Sequence, residues 1–235
     1  SHFLSLIPDP IYLVTTLSFY KGFLKEKCTQ SLDTQKKWKN DCNLTKLDET
    51  TWEKIYLKSF LYTKSYKLSY FQFKLLHRRI PTNKFLYTIK VKDNSLCTFW
   101  KTDIETLIHI FWTCEIVQTF WRSLEKWFQS NLLLPSTKGI DKVDAVGLSS
   151  KSENISIGFC KIVARYYIFK SKLQEKIPSI GGFLKVMKHY EIIEREFLPE
   201  NESYSKWKPL QTHSQQRDLM RVRQNKKYVN HCNYL

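Results

Sequence analysis

Glycine and proline are scarce: six and seven of 235 residues. So few chain breakers, with strict two-residue alternation also rare, exclude a sheet-rich fold built on tight turns and point to a mainly α protein. Catalytic signatures are missing as well. The chain has no adjacent Asp-Asp pair to hold two metal ions for phosphoryl transfer, no Gly-rich phosphate loop and no Gly-x-Ser-x-Gly elbow. An enzyme is therefore not expected, and neither is a small-molecule substrate. Cysteine is sparse too: Cys28, Cys42, Cys97, Cys114, Cys160 and Cys232 are too scattered for a disulfide scaffold. Their spread predicts a reducing intracellular setting, nuclear or cytoplasmic. The apolar run Phe3 to Leu17 has no basic flank and is broken by Pro8, Asp9 and Pro10, so it reads as neither signal peptide nor membrane span. The chain begins at Ser1, which suggests a fragment of a longer protein.

What is abundant is apolar surface and positive charge. Hydrophobic residues make up 42% and aromatics 15%, enough for a core, while 38 Lys and Arg against 22 Asp and Glu give +16. A polyanion is the natural partner, and RNA or DNA is preferred over a membrane surface. The charge is uneven along the chain. Eight bases and no acid lie between Lys64 and Lys92, followed by a nearly balanced centre from Asp93 to Glu153. Basic excess returns over Lys161 to Lys188, with only Glu175 opposing it, and again over Lys206 to Lys227, opposed by Asp218.

Apolar periodicity predicts helices over Thr51 to Thr63 and over Leu68 to Ile80, the second stopped by Pro81. Thr82 or Asn83 then caps a short helix through Ile89. After Cys114, Ile116, Val117, Phe120, Trp121, Leu124, Trp127 and Phe128 fall on one stripe, so these tryptophans are core rather than a base-stacking platform. Ser156 to Lys176 forms a helix whose buried and basic faces share one cylinder; Gly181 and Gly182 break the chain before Phe183 to Phe197. The organisation expected is an upstream segment (1–50), a helical region with a zinc-knuckle-like turn (51–130), a linker (131–153), a basic helical hairpin (154–199) and a weakly ordered polar tail (200–235).

Metal-ligand side chains cluster once, in LCTFWKTDIETLIHIFWTC from Leu96 to Cys114. Cys97, His109 and Cys114 have the spacing of a turn followed by a helix end, which suits tetrahedral zinc. Trp100 stands where a fourth ligand is expected. An indole cannot replace a thiolate, which leaves Asp103 or water as the substitute donor. In the alternative, the cysteines are small buried residues and Trp100 packs among Phe99, Phe111 and Trp112. Pairing either cysteine with His109 as nucleophile and base lacks a third, orienting group.

The segment from about Trp52 to Phe128 resembles the C-terminal zinc-binding region of reverse transcriptases from LINE-type non-LTR retrotransposons. The resemblance is carried by FQFKLLHRRIPTNKFLYTI, by C-x-x-[C]-x8-H-x4-C with ET-x-x-H-x-F-W-x-C around His109, and by the trailing V-Q-x-F-W. The later YYIFKSKLQEKIP extends it, so that it covers most of residues 50–197. It implies a parent polymerase, with its catalytic domains upstream, that copies RNA at a nicked target, and a C-terminal region that holds RNA or target DNA. The family's ligands fall on Cys97, His109 and Cys114, and its second cysteine falls on Trp100. Phosphate contacts are expected from Lys74, Arg78, Arg79, Lys84 and Lys90 in one patch and from Lys161, Arg165, Lys170 and Lys172 in another. His77, between these charges, is expected to be packed or solvated more than to contact a base. A decayed element copy, or a helical protein-interaction module with neither metal nor nucleic acid, is the alternative.

Overall fold

The computed structural model describes residues 33–44, 47–131, 139–151, 153–197 and 207. The chain divides into two compact units, Ser1–Lys46 and Leu47–Leu235. The first contributes helix α1 (Asp33–Cys42). The second holds α2 (Glu49–Tyr62), α3 (Tyr66–Leu76), α4 (Asn83–Thr88), a π-helical turn (His109–Thr113), α5 (Glu115–Ser130), α6 (Lys142–Ala145), α7 (Ile155–Leu173) and α8 (Ile180–Phe197). The fold is mainly α. Its one β-type pairing among the described residues is the isolated antiparallel bridge Leu96↔Ile104.

Helix α7 is the axis of the second unit: α2, α3, α6, α8 and the π-turn all pack against it. Ile157, Phe159, Cys160, Ile162, Val163, Ala164 and Ile168 are buried around its circumference. Removing each large apolar side chain from water contributes roughly 1.5 to 3 kcal/mol. The stripe after Cys114 forms α5 and buries Val117, Phe120, Trp121, Leu124 and Phe128, with the Trp121 indole donating to Phe111 O at 2.8 Å.

Several expectations change. The helix expected to run to Ile80 ends at Leu76, before Pro81 acts. Arg78 turns left-handed at φ 56°, its N–H bonds Leu75 O, and Arg79 N–H reaches back to Lys74 O. This is a Schellman closure with arginine where glycine is usual. Helix α4 ends the same way, with Lys90 at φ 59° and Val91 N–H donating to Leu86 O. Its start is capped as expected, Thr82 Oγ1 accepting from Phe85 N. Gly181 and Gly182 do not interrupt α8; they lie in its first turn. The Tyr167 hydroxyl comes so near Gly182 that a Cβ there would collide with it.

The stretch expected as a linker is partly core. Asp141 caps α6 by accepting from Asp144 N at 2.8 Å, and Ile140, Ala145, Val146 and Leu148 are buried. Residues 132–138 and 152 lie outside the described residues, as does the 200–235 tail apart from Trp207. Trp207 is buried against Phe159 and donates to Glu194 at 2.8 Å.

Candidate metal centre and the surrounding basic side chains

His109 and Cys114 are five positions apart, which in an α-helix places them about 140° apart around the axis. The π-turn removes that offset. Its wider loop, closed by Cys114 N–H donating to His109 O at 3.0 Å, brings both side chains to one side. Thr106 starts the turn by accepting from His109 N through Oγ1 at 3.0 Å.

Cys97 comes from the other direction, on a hairpin. Cys97 N donates to Asp103 O at 2.8 Å, Glu105 N donates to Ser95 O at 2.9 Å, and Lys101 turns left-handed at φ 62°. Trp100 N–H points at Cys97 Sγ, 3.5 Å away.

The three ligand atoms lie within 4.8 Å of one another, and all three residues are buried. The sulfurs of Cys97 and Cys114 are 3.8 Å apart. Zn–S bonds of about 2.3 Å at a tetrahedral angle give an edge of about 3.8 Å. His109 Nε2 is buried without a hydrogen-bond partner among the described residues, while Nδ1 meets Thr113 Oγ1 at 3.3 Å. An orphaned imidazole nitrogen beside two close sulfurs, its other nitrogen held by a hydroxyl, is the donor set zinc requires. The residues therefore fit a zinc ion through three protein ligands.

The electrostatics agree. The hydrogen bond from Cys114, aided by His109, holds the Cys97 thiol down to about 4, far below an ordinary cysteine. Cys114 is pushed up, first by its bond to Cys97 and then by burial. His109 is raised, chiefly by the Cys97 sulfur facing it. The pair is polarised so that Cys97 gives up its proton before Cys114, and the thiolate is the form that binds metal.

Asp103, the side chain expected to substitute as fourth ligand, does not sit in the cluster. Trp100 is 43% exposed rather than packed among Phe99, Phe111 and Trp112, and Asp103 is exposed outside the three-residue group.

Beneath the hairpin lies a site the sequence reading missed. Glu105 is completely buried. Its Oε1 accepts from Asn83 N at 2.8 Å and faces Lys172 Nζ at 3.2 Å; its Oε2 accepts from Thr98 N and Thr98 Oγ1 at 3.0 and 2.8 Å. Asn83 Nδ2 donates to Leu96 O, and Lys172 Nζ to Pro81 O, both at 2.7 Å. The PTN, ET and FKSK stretches, distant in sequence, therefore meet at one carboxylate that locks the hairpin to α4 and α7.

That arrangement corrects the second basic patch. Lys172 is buried against Glu105, and Lys161 is buried between Asp144 and Glu153 at 3.2 and 2.7 Å. Arg165 donates to Gln72 Oε1 at 3.0 Å and to Asp144 O at 2.9 Å, and burial draws its guanidinium down to about 10. Helix α7 is buried over most of its length, so these cations find partners inside; of the four residues expected there only Lys170 reaches solvent, in part. In the first patch Arg79, Lys84 and Lys90 are exposed, and Lys74 and Arg78 are half-buried. His77 packs between Tyr56 and Phe73, with ring centroids 5.3 and 4.2 Å away. Burial and the nearby Arg79 lower its pKa.

No helix among the described residues is long and apolar enough to cross a membrane. No curated protein matches the chain. Over residues 15–121, the hairpin, the π-turn and the start of α5 included, the chain matches the family model described as zinc-binding in reverse transcriptase.

Proposed function

We propose that this chain is the non-catalytic C-terminal part of a LINE-type retrotransposon reverse transcriptase, and that it holds RNA or target DNA for polymerase domains elsewhere in the parent protein. One observation carries the reading. The acid-free run that bears Arg79, Lys84 and Lys90 exposed is hydrogen-bonded onto the zinc-type hairpin, Lys84 N donating to Glu105 O at 3.2 Å. A rigid hairpin thereby positions a cationic surface, the arrangement that gives sequence-tolerant phosphate contacts. A zinc ion held by Cys97, His109 and Cys114 would fix the hairpin against the π-turn; its role is structural.

The test is a binding titration with RNA and DNA oligonucleotides across a salt series. Affinity should fall steeply with salt, and Arg78→Glu with Arg79→Glu should lower both the affinity and the salt slope. Absence of binding at low salt overturns the reading.

Trp100 favours a second reading, in which the chain is a decayed copy or a helical interaction module. A position expected to donate a ligand carries an exposed indole instead. Zinc content distinguishes the two: metal retained by the wild-type protein supports the first, and metal retained only after Trp100→Cys supports the second.

A further inference from the structure

Helix α3 carries a face that the fold does not use. Tyr66 is 69% exposed and Tyr70 47% exposed, so neither supports the core. Their rings nonetheless stack, centroids 5.7 Å apart and planes only 6° from parallel. Lys74, one further helical turn along, places Nζ 4.7 Å from the centre of the Tyr70 ring. Positions 66, 70 and 74 share one stripe, since residues four apart are neighbours on a helix. Stacking and cation–π contact arrange the three as a ladder.

The stretch of chain that carries the ladder has charge of one sign. From Lys54 to Lys92 the sequence holds no Asp or Glu, and Lys64, Lys67 and Arg79 are exposed at the two ends of α3. Parallel aromatic rings open to water, on a stretch of chain that is basic and free of acids, suit a particular ligand. Every nucleobase has a π-face that stacks on such rings, and the phosphates between bases meet the cations. A duplex offers the cations its backbone but keeps its bases inside, so the rings add nothing to duplex binding.

We infer that the Tyr66–Tyr70–Lys74 face of α3 is a stacking platform for unpaired bases of a single-stranded polynucleotide, whose phosphates run along Lys67, Lys74 and Arg79. The inference rests on the nucleic-acid reading above and specifies its surface and the strandedness of its ligand. Complementary charge and the missing acids select this occupant over an apolar protein segment.

The experiment uses the full chain and fluorescence anisotropy with labelled oligonucleotides, a single-stranded 12-mer and its duplex, each as RNA and as DNA. Tyr66→Leu with Tyr70→Leu keeps helix propensity and removes the rings. Affinity for the single strand should fall about tenfold per lost ring, with duplex affinity within twofold and an unchanged salt slope. Tyr66→Phe with Tyr70→Phe, which keeps both rings, should bind the single strand like wild type. Circular dichroism and the sedimentation coefficient should stay constant in both variants. The platform is overturned if the leucine variant binds single strands normally, or if duplex and single strand weaken together. It is also overturned if loss of the rings turns a dimer into monomers, which would make the face a contact with a second copy. Failure of wild type to bind any of the four probes at low salt overturns the nucleic-acid reading itself, and the platform with it.

Discussion

Two segments of this chain have the same basic composition and opposite fates. The cations between Lys74 and Lys90 reach water, while Lys161, Arg165 and Lys172 on α7 are buried in hydrogen bonds and ion pairs. Lysine count does not separate them. What differs is whether an acceptor lies across the packing interface: Glu105, Asp144 and Glu153 face α7, and no acid occurs between Lys54 and Lys92. Buried cations fix the relation of one helix to another, and exposed ones face solvent.

The largest effect should come from unpairing α7. Glu105→Ala strands the Lys172 ammonium and removes the acceptor for Asn83 N and Thr98 N, so it should cost about 3 to 5 kcal/mol in urea unfolding. A loss below 1 kcal/mol would show that the carboxylate does not organise the hairpin. The opposite segment supplies the contrast. Lys84→Glu should leave stability within about 0.5 kcal/mol of wild type while weakening oligonucleotide binding; a large stability loss would erase the distinction.

The left-handed closures offer a finer probe. A non-glycine residue there bears roughly 1 to 2 kcal/mol of strain, so Lys90→Gly should stabilise the fold by about 0.5 to 1 kcal/mol after the entropy of the unfolded glycine is subtracted. The same change should weaken binding, separating stability from use of the cation. Metal affinity should move with Trp100: the Trp100→Cys protein should keep zinc at chelator concentrations that strip wild type, since a third thiolate, as fourth ligand, closes the site.

The smallest effect concerns pH. His77 titrates below its unfolded value, so the unfolded chain binds the extra proton first. Its contribution to stability is complete above the ordinary histidine pKa and declines as pH falls through that value. Tyr56 and Phe73 pack on an uncharged ring, so His77→Phe should flatten the stability profile between about pH 7 and pH 5. An unchanged slope would assign the acid sensitivity to another group.

These contrasts also show what the residues alone could reveal. The stripe from Val117 to Phe128 was legible because burial on one side imposes a 3.6-residue period, and the Cys97, His109, Cys114 set because few side chains bind zinc. The interior lysines were not legible, since a cation's fate depends on an acid supplied by a distant segment: Lys172 looks like Lys84 until Glu105 is placed beside it. Helix ends closed by Arg78 and Lys90 were hidden because neither residue type announces a left-handed turn. The buried part of 139–151 was hidden because Ile140, Ala145, Val146 and Leu148 are diluted by polar neighbours. Trp100 was recognised as a departure, but its exposure depends on the hairpin.

The π-turn from His109 to Thr113 has a consequence beyond ligand placement. Cys114 ends that turn and is also the residue from which α5 starts, so the geometry of the metal-type cluster sets the rotational phase of the next helix. Deleting one residue between Ile110 and Thr113 would force the turn to close over four residues instead of five, with an α-type hydrogen bond in place of the π-type one. Such a change shifts Cys114, and with it the start of the stripe that carries Phe120, Trp121 and Leu124. The wide turn acts as a phase key shared by two neighbours, and its length can change only if the cluster and the hydrophobic stripe change together.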